Sequence, residues 1–351
     1  MRRRRGQQSS DQKYEFEQTP SGDGSSSRKK RTELTTGGAN ASGGKSGSSS
    51  KSSQESTFVS IWNDSDLLSV QLNYDDIEDI KTIGSGAYGV VWLVKYRNSQ
   101  VLASKRLKPG ETDRQRTQAF IAEIKLVAKF DHPHIVKFVG AAWTMESDIQ
   151  ALFEYLEYGD LRTYLMDAYT PREWTREKLQ IAIGIVEALV YVHSFTPPLV
   201  HRDLKSRNVL LSEELEAKLT DFGVSRFSSE DNTMTTGVGT GKWLAPEVIS
   251  GKSDYDQSAD IYAFGVVLSE IDTHAVPYEE LRGTSGNQLA EVAILQLVAK
   301  GELVPSFSET CPENIKELAA RCLSFEPTAR PSAVEIAYIL RTIQRNMHFS
   351  L

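Results

Sequence analysis

The chain has 351 residues, with 40 Lys and Arg against 47 Asp and Glu, a formal net charge of −7. Hydrophobic residues make up 39% and charged residues 25%, which suits a soluble chain of one sizeable domain or two small ones and excludes a collagen, a coiled coil or a disulfide scaffold. The charge is uneven: residues 1–55 hold eleven basic and six acidic side chains, a net of +5, leaving an acidic body at −12 that argues against nucleic acid as its partner.

Residues 1–56 are rich in Ser, Gly, Gln and Lys and nearly lack large apolar side chains. Such a segment buries too little surface to offset the entropy of ordering, so it reads as a disordered basic tail. Its clusters Arg2–Arg5 and Arg28–Arg31 are either solvated charge or contacts for an import receptor or an anionic membrane. Four opening arginines also resemble a juxtamembrane segment whose span is missing. No apolar core follows them, so they are not a signal peptide, and no apolar run reaches the roughly 18 residues of a membrane helix. Cys311 and Cys322 have no metal-ligand spacing and read as reduced thiols of a cytoplasmic protein.

Apolar residues return at Phe58, Ile61, Trp62, Leu67, Leu68, Val70 and Leu72, so residues 57–76 are expected to flank and pack on the body, with Trp62 as the anchor. From Ile77 the pattern turns regular. Val90–Tyr96 and Val101–Leu107 are β-rich runs separated by the polar Arg97–Gln100, a hairpin signal. Residues 114–129 have helical spacing, with Phe120, Glu123 and Val127 on one face. Beyond residue 158 the helical runs are Ala182–Val192, Ile261–Ile271, Leu289–Val298, Ile315–Cys322 and Val334–Ile343. A β-rich part followed by a helical part predicts an α+β fold with two lobes.

Three stretches carry chemistry. Gly84-Ser85-Gly86-Ala87-Tyr88-Gly89 fits a phosphate-binding glycine loop. The β-branched Val90 and Val91 follow it directly, whereas a dinucleotide fold would open a helix there. Strand alternation puts Val101, Ala103 and Lys105 on one apolar face, where a lysine needs an anion. Glu123 is the candidate, unless Lys105 points to solvent at the strand end. Finally, His201-Arg202-Asp203-Leu204-Lys205-Ser206-Arg207-Asn208 precedes Asp221-Phe222-Gly223, with strand-like runs Val209–Leu211 and Ala217–Thr220 between. That hairpin brings Asn208 near Asp221, and an amide oxygen with a carboxylate suits Mg²⁺.

Together these motifs resemble those of the eukaryotic protein kinases over about residues 77–345. The resemblance implies a small β-rich lobe (77–153), a hinge (154–160) and a larger helical lobe (161–345). It implies that Gly84, Gly86 and Gly89 form the loop over the phosphates of ATP and that Ile83, Ser85, Ala87, Tyr88 and Val90 also bind the nucleotide. Val91 and Ala103 would line the adenine from above and Leu210 from below, with Phe153 as gatekeeper and Glu154 to Leu156 along its edge. Lys105, paired with Glu123, would bind the α- and β-phosphates. Asp203 would accept the proton of a substrate hydroxyl, Lys205 would neutralise the γ-phosphate, and Asn208 and Asp221 would hold Mg²⁺. Glu247 would pair with Arg330, and Asp260 would brace the catalytic loop.

Lys205 and Thr240 resemble the serine/threonine class, while Trp243 is shared by tyrosine kinases and the tyrosine-kinase-like group of serine/threonine kinases. The combination resembles that last group, whose substrates are protein Ser/Thr hydroxyls. Arg202 implies control by phosphorylation of Thr233, Thr235 or Thr236, with Ser228 and Ser229 behind, by an upstream kinase or in trans. Ser104 departs from the family at a position that is usually apolar. A kinase-shaped binding module is the alternative; the full set of Lys105, Glu123, Asp203, Asn208 and Asp221 argues for turnover.

Overall fold

Five strand-forming runs pair antiparallel in the order β1-β2-β3-β5-β4: β1 (Ile77–Gly86), β2 (Gly89–Tyr96), β3 (Gln100–Arg106), β4 (Phe138–Ala142) and β5 (Gln150–Glu154). The computed structural model describes residues 61–86, 89–108, 110, 114–223, 226–227, 241–251, 256–283 and 286–346. The basic tail, Phe58, Ala87, Tyr88, Ser228, Ser229, Thr233, Thr235, Thr236 and Thr240 lie outside the described residues. The β2–β3 hairpin turns on Arg97 and Asn98, at φ 48° and 57°, and the Ser99 N–H donates to the Tyr96 carbonyl at 3.2 Å. Two successive positive φ angles give the turn the twist its strands need. Gln100, expected in the turn, pairs with Tyr96 and begins β3.

Both faces of β3 are packed. Leu102 and Ser104 are sealed, whereas Val101 is 43% exposed. Lys105 shares its face with its β5 partner Ala151, which packs with Phe120, Ile121 and Ile124, while Leu102 belongs to a second cluster on the opposite face. The Ser104 hydroxyl survives burial because it donates to Gln150 Oε1 at 2.7 Å.

The flanking segment begins with a short turn at Ile61–Asn63 and helix α1 (Ser65–Ser69). Ile61 and Leu67 are its anchors, packed with Phe120, Ile121 and Ile124 of helix α2 (Arg114–Val127). Trp62, the expected anchor, is 51% exposed; consecutive residues on a tight turn point apart, and Ile61 takes the inward direction. Asp64 caps α1 and pairs with Lys125 of α2 at 2.9 Å. Val70–Leu72 then lie along the β4 edge: the Ala141 N–H donates to the Val70 carbonyl at 2.9 Å, and the Leu72 N–H to the Ala141 carbonyl at 2.7 Å. A Cβ on Gly140 would sit 2.6 Å from Leu72 Cγ, so the glycine is what lets this segment seat.

The larger lobe holds α3 (Leu161–Met166), α4 (Arg176–His193), α5 (Pro246–Ile249), α6 (Ser258–Thr273), α7 (Glu291–Ala299), α8 (Glu313–Cys322) and α9 (Ala333–Asn346). Two short ribbons accompany them, β6 (Leu199–Val200) with β9 (Arg226–Phe227) and β7 (Val209–Leu211) with β8 (Ala217–Leu219). Helix α6 is the axis of the core, buried at every residue from Ala259 to Asp272. A helix enclosed on all sides must be apolar all round or satisfy each polar group it carries. Both cysteines are free and buried. Among the described residues, no helix is long and apolar enough to cross a membrane.

Candidate active site

The roof of the cleft is the β1–β2 hairpin, with Gly84 opposite Val91 and Gly86 opposite Gly89. Gly89 has φ +150°, and a Cβ there would strike the Arg106 carbonyl, so only glycine lets β2 lie this close to β3. Ile83 is exposed at the rim, and Val91, Ala103, Phe153, Leu156 and Leu210 are half-buried. Phe153 pairs with Ala103 across β3–β5 and meets Phe138 edge-on at 5.6 Å.

Lys105 is where three elements converge. Its Nζ donates to Glu123 Oε1 at 2.5 Å and to Asp221 Oδ1 at 2.8 Å, joining β3, α2 and the loop after β8. Burial opposes the ammonium charge, but the two carboxylates outweigh it and hold the Lys105 pKa above its usual value. Burial together with the Asp221 charge pushes Glu123 up, against Lys105. Burial also works against Asp221, where contact with Lys105 wins and lowers the pKa.

Asp221 reaches Lys105 from a left-handed backbone, φ 65°, which aspartate tolerates better than most residues. The next side chain, Phe222, is buried against Phe130 and His201, with ring centroids 4.8 and 4.7 Å away. Gly223 completes the turn: a Cβ there would come within 2.9 Å of Glu123 Oε2.

The floor is the loop from His201 to Asn208. Lys205 Nζ donates to both oxygens of Asp203, at 3.0 and 2.8 Å. Asn208 Nδ2 donates to the Asp203 carbonyl at 2.8 Å and to its Oδ2 at 2.9 Å. Three of about four acceptor positions on the Asp203 carboxylate are thus taken, leaving one for an incoming hydroxyl. The β7–β8 ribbon sets Val209 opposite Leu219, and the Thr220 N–H donates to the Asn208 carbonyl at 3.0 Å, so Asn208 and Asp221 lie side by side.

Asp260 fixes this loop from below. Its carboxylate accepts the backbone N–H of His201 at 2.8 Å, that of Arg202 at 2.9 Å, and His193 Nε2 at 2.9 Å. Burial resists the charge, and these donors lower the pKa regardless. Further out, both guanidinium arms of Arg330 meet Glu247, at 2.6 and 2.8 Å. The Glu154 side chain accepts Lys218 Nζ at 2.7 and 2.9 Å and the Lys137 N–H at 2.8 Å, which ties the end of β5 to β8.

Two contributors escaped the sequence reading. The Lys218–Glu154 pair left no signal, because exposed-looking charges are common. Glu270 did leave one: it is a carboxylate inside an otherwise apolar helix run.

Residues 77–339 match the protein kinase domain family. Among relatives, the chain is 32% identical over 274 residues to the serine/threonine-protein kinase/receptor R826 of Acanthamoeba polyphaga mimivirus, covering 78% of this chain and 16% of that one. It is 33% identical over 279 residues to a protein of Dictyostelium discoideum named a probable serine/threonine-protein kinase, kinX, covering 79% and 24%. A third, the RGS domain-containing serine/threonine-protein kinase A of the same organism, is 31% identical over 293 residues, covering 84% and 25%. The chain therefore spans a quarter or less of the length of these relatives.

Proposed function

We propose a function from one premise: this chain belongs to the protein kinase family. It transfers the γ-phosphoryl group of ATP to Ser and Thr hydroxyls of proteins. The observation that carries this reading is the facing of two charge clusters, Lys105–Glu123–Asp221 and Asp203–Lys205–Asn208, with Asn208 and Asp221 at their seam.

The residues suit a magnesium nucleotide. Asn208 commits its amide nitrogen to Asp203, so its Oδ1 is the atom it offers a cation, and Asp221 adds carboxylate oxygens. Magnesium-bound ATP, when present, supplies the phosphoryl group and divalent charge. Lys105 binds phosphate oxygens from above, oriented by Glu123. The β1–β2 glycines let backbone N–H groups approach from the roof, and Val91, Ala103 and Leu210 clasp the base. Asp203 accepts a hydrogen bond from the acceptor hydroxyl and orients its oxygen for in-line attack. Lys205, bound to Asp203 in the absence of substrate, is placed to balance negative charge that spreads over the transferring group. The chain thus supplies position and electrostatics, which this reaction chiefly needs.

The finer assignment is the tyrosine-kinase-like serine/threonine group, supported by Lys205, Thr240 and Trp243 together. Activation falls to an upstream kinase or to a second copy acting in trans, with phosphate on Thr233, Thr235 or Thr236 ordering the loop through Arg202. The site of action is the cytoplasm, supported by two buried free thiols, with the basic tail touching anionic membrane or an import receptor. The test is transfer of labelled γ-phosphate from Mg-ATP to a generic Ser/Thr substrate, run beside Asp203→Asn. Label on Ser and Thr that disappears in the variant is the expected result. Phosphotyrosine as the main product overturns the specificity; an inert chain, even after activation-loop phosphorylation, makes it a binding module.

A further inference from the structure

Helices α4 and α9 leave an open groove of about 690 Å³ between them, lined by Glu187 and Val190 of α4 and by Val334, Ala337, Tyr338 and Arg341 of α9, with Arg345 at its end. That volume falls in the range of about 300–1,000 Å³ typical of ligand sites. None of these residues has a part in the reaction above. Along α9, positions 334, 338, 341 and 345 recur at steps of four, three and four, which puts them on one face of the helix. The stripe changes character along its length. Val334 and Tyr338 are 64% and 66% exposed, and the exposed Arg341 and Arg345 follow them. The arginines alone need no explanation, because cations favour the C-terminal end of a helix. The valine and tyrosine beside them do: contiguous apolar surface rimmed by polar groups marks an interaction surface.

The charge of the groove says what covers it. Arg341 lies 2.8 Å from Glu187, the one carboxylate among the described lining residues. Arg345 folds back onto the Arg341 carbonyl at 3.3 Å and the Thr342 hydroxyl at 3.4 Å, and meets no carboxylate among the described residues. Glu335, also on α9, is committed to Arg321 of α8. Two arginines against one glutamate leave the groove at +1 on a body of −12. An uncompensated guanidinium beside apolar surface favours a partner that carries carboxylates and apolar side chains on one chain. A nucleic acid offers the anion without the apolar side chains, and the acidic body repels it.

We propose that this groove docks a short acidic peptide of a partner protein. Its aliphatic or aromatic side chains seat against Val334 and Tyr338, and its carboxylates pair with Arg341 and Arg345. Tyr338 and Arg345 are two helical turns apart, a rise of about 10 Å, which about three extended residues span. The peptide therefore places a carboxylate about three residues from its apolar anchor. The inference stands apart from the phosphotransfer reading, since no residue of the cleft enters it.

The test selects random displayed peptides on the full chain and on its Tyr338→Ala and Arg345→Glu variants, then measures the most enriched peptide by fluorescence anisotropy. Both side chains are exposed, so thermal midpoints should match the unmodified chain; Val334→Ala and Arg345→Gln stand in if either variant folds poorly. Enrichment of peptides with acidic residues at that spacing from an apolar one is expected. Each variant should weaken the probe roughly tenfold, and added salt should shrink the Arg345 effect. Arg345→Glu should also turn the selection toward lysine-bearing peptides, a reversal that a merely structural role would not give. Phosphate transfer to a generic Ser/Thr substrate should be equal in all forms, so docking and phosphotransfer fail separately. No enrichment, equal enrichment on the variants, or a preference for basic or uncharged peptides overturns the proposal. So does dimerisation that Tyr338→Ala abolishes, which makes the occupant a second copy, or binding to phosphatidylserine vesicles that Arg345→Glu abolishes, which makes it a membrane.

Discussion

The two lobes hold their charged groups in opposite ways. At the small lobe's Lys105, Glu123 of the same lobe and Asp221 of the large lobe meet the ammonium from separate elements. In the large lobe, Asp260 accepts two backbone N–H groups and His193, and Glu270 accepts Ser206 and Trp243, both carboxylates standing on a helix that is enclosed on all sides. The packing differs likewise. The small lobe has two modest apolar clusters, one on each side of its sheet, whereas the large lobe has one continuous core. A cluster of mutual contacts from independent elements comes apart when any one element shifts, while a carboxylate saturated by its own scaffold does not. The small lobe is built to be assembled and the large lobe to be a fixed reference, and the flanking segment supplies part of the assembly. It touches α2 through Leu67 and Asp64 and the β4 edge through Leu72, so it fastens the helix that carries Glu123 to the sheet that carries Lys105.

Breaking the reference has the largest expected effect. Asp203→Asn keeps the shape and removes the proton acceptor, and turnover should drop by roughly 10²–10⁴ with the thermal midpoint nearly unchanged. Arg330→Leu leaves Glu247 charged, buried and unpaired; denaturant titration should show a loss of about 3–5 kcal/mol. Loosening the assembly gives a different signature. Leu67→Ala empties a fully buried site and should cost about 2–5 kcal/mol, expressed as undocking of residues 61–72. Hydrogen exchange should rise in that segment and in α2 while α6 stays protected, and phosphotransfer should fall with it. Uniform exchange across both lobes would erase the distinction drawn here.

The smallest effect is a pH dependence inside the fixed lobe. Lys178 of α4 is fully buried, its Nζ donates to the Arg172 carbonyl at 3.0 Å, and burial pushes its pKa down to about 8. An unfolded lysine titrates near ~10.4, so between these values the unfolded chain binds more protons than the folded one. Stability should therefore rise with pH across that window, and Lys178→Met should flatten the rise in thermal scans from pH 7.5 to ~10.5.

Much of this was legible before any coordinates. The glycine loop, Lys105, Glu123, and the stretch from His201 to Asn208 with Asp221-Phe222-Gly223 are local strings whose spacing reports their chemistry. Helix periodicity marked α4 and α6 through α9, because an apolar stripe repeats at the helical turn. What failed did so where a decision depended on a distant partner. Trp62 outranks Ile61 in size, yet the turn faces Ile61 toward α2. Ser104 reads as a departure at an apolar position, yet Gln150 on β5 gives its buried hydroxyl a partner.

The sequence by itself determined the two-lobed α+β architecture and the set of groups able to do phosphoryl chemistry, because periodicity and motif spacing are properties of neighbouring residues. The tertiary structure alone decided which charges meet. Glu123 comes to Lys105 from another element, Asp221 from the far lobe, and Ser206 and Trp243 both donate to Glu270. Hydrogen bonds and ion pairs act over about 3 Å, and only packing brings residues separated by tens of positions within that reach.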